Sequence, residues 1–487
     1  MTEPTALLAA ENLWVMDRVL NLRQVFLVFL SFFTFHHNKM KIAIIGNGIA
    51  GITAARWIRK LDSTAEITVI SEEGDYFFSR TALMYIYMGH MRLQDTQPYE
   101  NWFWTENRIN LLRGRVASIN YTSKSLIING HNDFSYDKLI IATGSKSNKF
   151  GWKGQDLDGV HGLYHLQDVE AMERHSANGL QRAVVVGGGL IGIEMAEMFH
   201  SRHIPVTFLV REKSFWDLII PPEESQMVNR HIREHGFDLR LESELDQVLD
   251  DNNDGKADGI LIKNGEKLPC GFVGLTVGVS PNIDFLKNSD LKINRGIVVN
   301  EYLQTNMPDV YAIGDCAEVE KPQAGRRPLE AVWYVGRMMG ETAAYNICGK
   351  PVKYDAGIWF NSAKFLDIEY QVYGDVRAAL PAEHETIYWE HSDGKHSIRI
   401  NYDRDTEGVV GFNLMGVRYR HEVCERWLRD KTPILDVIQN LGLANFDPEF
   451  YREYEAEVVA IFNKKTGRNL QLKTKRGLNA VLQFLKS

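Results

Sequence analysis

At 487 residues, with 44% hydrophobic and 24% charged side chains, the chain has the composition of a globular protein with two to four domains and several large cores. A formal net charge of −8 excludes any general case for nucleic-acid binding. The four cysteines, Cys270, Cys316, Cys348 and Cys424, form no Cys-x-x-Cys pair, so no zinc site, local dithiol or other metal ligand set is visible, and a reducing cytoplasm is the simplest setting.

In chain order, the first feature is VFLVFLSFFTF, Val25 to Phe35, behind Arg18 and Arg23. It is well short of the roughly 20 residues a spanning helix needs. Residues 1–39 read as an extension upstream of a natural start at Met40, with a membrane-associating helix as the alternative.

KIAIIGNGIAGITAARWIRK follows, Lys41 to Lys60. Ile42 to Ile45 is a buried-strand pattern that runs into Gly46-x-Gly48-x-x-Gly51 and then a helix. In that pattern Gly46 permits the tight turn, Gly48 lets a pyrophosphate approach the backbone, and Gly51 lets helix and strand pack closely. The helix N-terminus adds free N–H groups and the positive end of its dipole. The next strand, EITVISEE, brings Glu72 to the place where a carboxylate accepts ribose hydroxyls. A further strand, YDKLIIATGS, ends in Ala142-Thr143-Gly144.

The fingerprint then repeats. AVVVGGGLIGIEMAEMF is again strand, Gly187-x-Gly189-x-x-Gly192 and helix, and PVTFLVRE is again a second strand. Two fingerprints imply two dinucleotides and two similar domains. The acid that would grip the 2′-hydroxyl of NADH is replaced by Val210, with Arg211 and Lys213 flanking Glu212, and this balance leans towards NADPH. VYAIGDCAE, later in the chain, is a strand ending in Gly314-Asp315, where a carboxylate can hold a ribityl or ribose hydroxyl.

These four motifs, in this order, resemble the pyridine nucleotide–disulfide oxidoreductase superfamily over roughly Met40 to Gly416. ITVISEEGDYFFSR is similar to the flavin part of NADH-dependent nitrite reductase, and PLEAVWYVGRMMG resembles a helix start of rubredoxin and ferredoxin reductases. The resemblance implies an α/β fold with two Rossmann-like, three-layer ββα domains, the NAD(P) domain inserted in the FAD domain, and an α+β C-terminal interface domain. The implied divisions are an extension at 1–39, FAD domain at 40–167 and 282–350, NAD(P) domain at 168–281, interface domain at 355–450 and a basic helical tail at 451–487. For FAD it implies Gly46, Gly48 and Gly51, Glu72 at the adenosine ribose and Arg80 at the pyrophosphate. Val116 would meet the adenine, Ala142, Thr143 and Gly144 would run along the cofactor, and Gly314 and Asp315 would meet the ribityl chain. For NAD(P)H it implies Gly187, Gly189 and Gly192, with Arg211 nearby and Gly278 lining the cleft. Glu194, Glu330 and Trp333 would stand near the reacting rings, against the plainer readings of helix-surface Glu and core Trp.

Disulfide-reducing members of that family carry a redox cysteine on the helix after the first acid. Here EEGDYFFSRTALMYIYMGHM contains none; the nearest counterpart position is around Ala82. GLANFDPEFYREYEAEVV likewise lacks the His of their His-Pro motif. Without a thiolate there is no mixed disulfide. The implied reaction is hydride transfer from NAD(P)H to flavin N5, then electron delivery to a separate redox protein, iron–sulfur or similar, or to a partner subunit. Two departures limit the likeness. The Lys that often follows the Arg80 position is absent near Tyr85, and the clustered cysteines that siroheme and extra iron–sulfur centres need are missing. The alternatives are a peripheral quinone reductase, touching an anionic membrane through the apolar start and the basic tail FNKKTGRNLQLKTKRGLNAVLQFLKS, or a flavin-bound sensor or scaffold. A homodimer through the C-terminal domain is expected.

Overall fold

The computed structural model describes residues 39–473 apart from positions 130, 178, 448 and 451. The readings of residues 1–38 as an extension, and of the last basic stretch from residue 474, lie outside the described residues.

The first sheet is parallel throughout, in the spatial order Val310–Ala312, Lys138–Ile141, Lys41–Ile45, Glu66–Ser71, Ile109–Arg113. Both faces are covered, which is why its strands read as continuous apolar runs and not as alternating ones. Ile44, Ile67 and Ile140 are fully buried, each worth about 1.5–3 kcal/mol relative to exposure. One face carries the helix Ile49–Leu61. Arg59 and Lys60 in its last turn suit the negative end of the helix dipole. Beyond it, the Asp62 carboxylate accepts from the Thr64 and Ala65 N–H groups and turns the chain. Helix Trp333–Ile347 packs against this helix at a close crossing. A Cβ on Gly340 would lie 2.5 Å from the Ala50 carbonyl oxygen. A small antiparallel sheet of Val116–Asn120, Ser125–Ile128 and His131–Ser135 completes the domain.

The second domain repeats the plan. Its parallel sheet runs Asp238–Arg240, Val206–Leu209, Ala183–Val186, Phe272–Leu275, Val160–His161. Its antiparallel companion is Leu245–Leu249, Gly259–Ile262 and Lys267–Pro269. The chain leaves the first domain through Ser145–Ser147 and returns through Val279–Pro281, and these two segments pair antiparallel as a two-stranded link. The second domain is therefore an insertion, and the expected start at Asp168 is too late. That residue lies inside the helix Leu166–Ala177, and Val160–His161 already belongs to the second sheet. A two-residue strand is too short to show periodicity in a sequence.

The third unit is an antiparallel sheet ordered Phe360–Phe365, Ile368–Gly374, Val409–Met415, Ser397–Asp403, His384–Glu390. Helices His421–Arg429 and Ile434–Gln439 share its core. So does Glu455–Thr466, which buries Val458, Val459 and Phe462. The expected separate tail from residue 451 is corrected here: its first helix is part of the core. Lys464 and Lys465 dilute the composition of this stretch and mask the apolar stripe at 458, 459 and 462.

Candidate functional site

The two glycine fingerprints fold into the same geometry, and each glycine has its own reason. Gly46 has φ +112°, and a Cβ there would strike the Ala142 carbonyl oxygen at 2.1 Å. A Cβ on Gly51 would strike the Gly46 carbonyl oxygen, also at 2.1 Å. Gly187 has φ +120° and would meet the Thr276 carbonyl oxygen at 2.7 Å, while Gly192 would meet that of Gly187 at 2.8 Å. The middle glycines differ. Gly48 has an ordinary φ of −72° and nothing within 4 Å of a built Cβ. Gly189 meets only the indole of Trp216, at 3.9 Å. Gly48 and Gly189 are the N-caps of the two following helices, and neither helix start has a side-chain cap. The N–H groups there face space that the protein itself leaves open.

A cavity of about 1190 Å³ starts at the first turn and runs to the second domain. Gly46, Gly48, Glu72, Arg80, Val116 and Ala142 line it, as do Thr143, Gly144, Gly314, Asp315 and Trp333. Leu190, Ile191 and Glu194 bring the second fingerprint's helix to the same wall, and Asn361 to Ala363 close it from the third unit. Gly51 lies beneath the turn. Gly187, Gly189, Gly192, Arg211 and Gly278 are not among its lining residues. Gly278 (φ +87°) sits in the link, beside Val279, which does line the cavity.

Several side chains take parts that differ from expectation. Arg80 closes its fork on Glu73, with Nη1 to Oε1 at 2.8 Å and Nη2 to Oε2 at 2.5 Å, and Nη1 also donates to the Tyr164 carbonyl. Burial works against the charge on Glu73. Arg80, His165 and the Leu166 N–H (2.9 Å) outweigh it and hold the carboxyl down to about 2. Glu72 is more exposed and lies 3.6 Å from Arg115. Glu330 does not line this cavity. Its carboxylate is bound by Arg326, Nη2 to Oε2 at 2.5 Å, with both side chains under 8% exposed. Arg326 also donates to the Ala356 and Gly357 carbonyls, so this pair anchors the entry into the third unit. Arg326 and Glu330 both lie in the irregular segment between strand Ala317–Val319 and helix Trp333–Ile347, and the path of that loop brings them together. Arg211 is 67% exposed and bonds Glu212 (2.8 Å).

Three residues beside the two turns and the cavity were not singled out from the sequence. Asn47 accepts from the Ser71 hydroxyl (2.9 Å) and donates to the Gly74 carbonyl (3.0 Å), which ties the first turn to the end of the next strand. Tyr164 donates to Asp315 Oδ2 (3.0 Å) and accepts from the Ser145 N–H (2.9 Å), joining the two strand exits. Trp216 packs on Phe365 and Tyr370 of the third unit, with ring centroids 5.3 and 5.4 Å away, and roofs the second turn. Asn47 could have been suspected from its place between two glycines. Tyr164 and Trp216 act through contacts far away in sequence. Asp315 is half-buried, and burial pushes its carboxyl up.

Glu194 is half-buried in the cavity wall. Burial, with repulsion from Glu197, pushes its carboxyl up to about 7 from an ordinary 4.5. The folded protein keeps this proton where the unfolded chain has released it. The site therefore lowers stability progressively as pH rises from about 4.5 to 7, with no further loss above. Glu194→Gln is expected to flatten that slope and to gain about 1–3 kcal/mol at pH 8 relative to pH 5. Denaturant unfolding of both proteins at the two pH values checks it; parallel pH dependences would refute it.

All four cysteines are free, and none lines the cavity. Cys316 is fully buried, with its Sγ within 3.3–3.4 Å of the Ile313 and Ile141 carbonyls, and burial raises its pKa. Among the described residues no helix is long and apolar enough to cross a membrane.

Residues 40–340 match the family model described as pyridine nucleotide-disulphide oxidoreductase. The chain is 29% identical over 377 residues to the assimilatory nitrate reductase electron transfer subunit of Bacillus subtilis (strain 168), covering 77% of this chain and 48% of the relative. It thus spans about half the length of that relative. It is 31% identical over 336 residues to the 5,5'-dehydrodivanillate O-demethylase ferredoxin reductase subunit of Sphingobium sp. (strain NBRC 103272 / SYK-6), covering 68% of this chain and 80% of that one. Among solved structures, an NAD-dependent persulfide reductase from A. fulgidus superposes with a TM-score of 0.77 at 25% identity, over 88% of this chain and 84% of the other.

Proposed function

Because the chain belongs to the pyridine nucleotide-disulphide oxidoreductase family, we propose that it is an FAD-dependent NAD(P)H oxidoreductase whose electrons leave to a separate redox protein without a cysteine relay. The observation that carries this reading is the single cavity on which the first fingerprint, the second fingerprint's helix and Trp333 converge, with no sulfur of a cysteine in its wall.

The residues fit an FAD. Nothing inside the protein requires glycine at position 48, so the bare backbone there suits a group pressed against it, and the uncapped N–H groups suit phosphate. The Asp315 carboxylate, oriented by Tyr164, is the hydroxyl-binding group on the opposite wall. Val116 and Glu72 line the end beyond the first turn, where an adenosine would lie. An FAD bound there would supply the capacity to take a hydride from reduced nicotinamide and to pass electrons on singly or in pairs. The protein's share is orientation and exclusion of water. Leu190 and Ile191 supply apolar wall, Glu194 holds its proton near neutral pH, and Arg80, locked to Glu73, keeps the mouth of the cavity in one shape. Gly187, Gly189 and Gly192 would hold the pyrophosphate of NAD(P)H at the second turn. Val210 is fully buried and Arg211 exposed beside it, a pairing that favours a 2′-phosphate and hence NADPH.

The acceptor class is an iron–sulfur or similar one-electron carrier. This agrees with the electron-transfer and ferredoxin-reductase names of the two relatives. A homodimer through the third unit and a cytoplasmic setting complete the proposal. The test is anaerobic. Purified protein should be yellow, bleach within seconds of adding NADPH, and turn over ferricyanide, with kcat/KM higher for NADPH than for NADH. Colourless protein that takes up no added FAD, or bound flavin that stays oxidised, would overturn the reading. A preference for NADH would overturn only the choice of nucleotide.

A further inference from the structure

The cysteine spacing shows no metal site, but the fold brings two histidines and an aspartate together. Helix Pro222–Glu234 carries His231, and His235 follows at its C-terminal end, four positions on. That spacing puts both imidazoles on one face, with ring centroids 4.3 Å apart. Asp367, in the turn between strands Phe360–Phe365 and Ile368–Gly374 of the third unit, faces them. One ligand atom from each of the three lies within 4.8 Å of the others.

The proton positions leave this cluster incomplete as it stands. His235 Nδ1 is 2.9 Å from the His231 carbonyl oxygen and so carries the proton. Its Nε2 then turns a lone pair towards Asp367 Oδ1, 3.5 Å away. His231 is 1% exposed, and its Nε2 touches the same Oδ1. Its Nδ1 makes no hydrogen bond and has Glu234 Oε2 at 3.8 Å beside it. The Lys395 ammonium takes the other carboxylate oxygen, Oδ2, at 3.0 Å, and leaves Oδ1 to the imidazoles. A tetrahedral zinc centre with bonds of about 2.1 Å spaces its ligand atoms roughly 3.4 Å apart; His235 Nε2 stands at nearly that distance from Oδ1, while His231 Nε2, in contact with Oδ1, has to part from it to admit an ion.

We propose that His231, His235 and Asp367 bind one divalent transition-metal ion of the zinc class, which clamps the inserted dinucleotide domain to the third unit. Two imidazoles and one carboxylate are borderline ligands that select zinc or its neighbours over magnesium and calcium. Three protein ligands leave the fourth position to water. The His235 Nδ1–H bond to backbone holds that ring in the metal-binding tautomer. None of the three residues lines the large cavity, so this site is separate from it.

The test uses the full chain, stripped with chelator, and zinc alone as the probe. Equilibrium dialysis at micromolar free zinc is expected to leave one ion per chain whose affinity falls at least about tenfold in His235→Gln and in Asp367→Asn. The double variant His391→Gln/His396→Gln alters a second histidine cluster around Asp393 and should leave that ion in place. The melting temperature of the unaltered protein should rise with zinc, and that of Asp367→Asn should not. Asp367 is half exposed, so the Asn variant is expected to fold, with its circular dichroism as the check. No bound zinc, or zinc bound equally by Asp367→Asn, overturns the proposal, and so does loss of the ion only in the His391/His396 variant.

Discussion

Gly48→Val is expected to give a folded protein that purifies without flavin. The backbone at Gly48 has φ −72° and ψ −178°, which any residue adopts, and a Cβ there meets no protein atom within 4 Å. Folding has no reason to object. The branched side chain would instead stand in the space above the uncapped helix start, where the proposed pyrophosphate lies. We expect FAD affinity to fall about 100-fold or more, roughly 3 kcal/mol. Gly46→Ala is the contrasting control. Its Cβ would lie 2.1 Å from a carbonyl oxygen at a φ of +112°, so this variant should fail to fold. Flavin titration and thermal melts of the two proteins separate the cases. A Gly48→Val protein that keeps its colour would sink the assignment of this turn to a phosphate.

The second large effect concerns how the inserted domain is held. Glu224, fully buried on helix Pro222–Glu234, is gripped by Arg399 of strand Ser397–Asp403, with Nε to Oε1 at 2.7 Å and Nη2 to Oε2 at 2.9 Å. Asn413 adds a bond to Oε1 at 3.0 Å, and Glu223 accepts from the same Nη2 at 2.7 Å. Arg399→Ala strands a buried carboxylate and is expected to cost about 3–5 kcal/mol. The cost comes from the orphaned charge, since forming such a pair repays little more than its own desolvation. Glu224→Gln/Arg399→Met, which removes both charges and keeps the volume, should therefore recover most of the loss. Chemical denaturation of the three proteins decides it. If the double variant is as unstable as Arg399→Ala, the orphaned charge is not the cause.

Much of the scaffold was legible because its signals are local. Four apolar residues before Gly46 and before Gly187 can only be buried strands, and the glycine spacing follows from backbone clashes within a few residues of each turn. The inserted arrangement was implied by the family resemblance that the four motifs carry. Element boundaries were less legible. The strand Val160–His161 is held by pairing with Val273 and Gly274, over a hundred positions away, and leaves no pattern of its own. Helix Glu455–Thr466 looked like a charged tail until the third unit's sheet supplied a partner for Phe462.

The chain by itself determined two dinucleotide turns, their order, and the lack of a cysteine where disulfide reductases keep one, because each of these is a matter of neighbouring residues. Only the tertiary structure decided what the charged side chains do. An arginine finds whichever carboxylate the packing brings within reach, so Arg80 is bound to Glu73, Glu330 to Arg326, and Arg399 to Glu224. The same physics brings His231, His235 and Asp367 together, since a turn in one domain meets a helix of another only after both have folded.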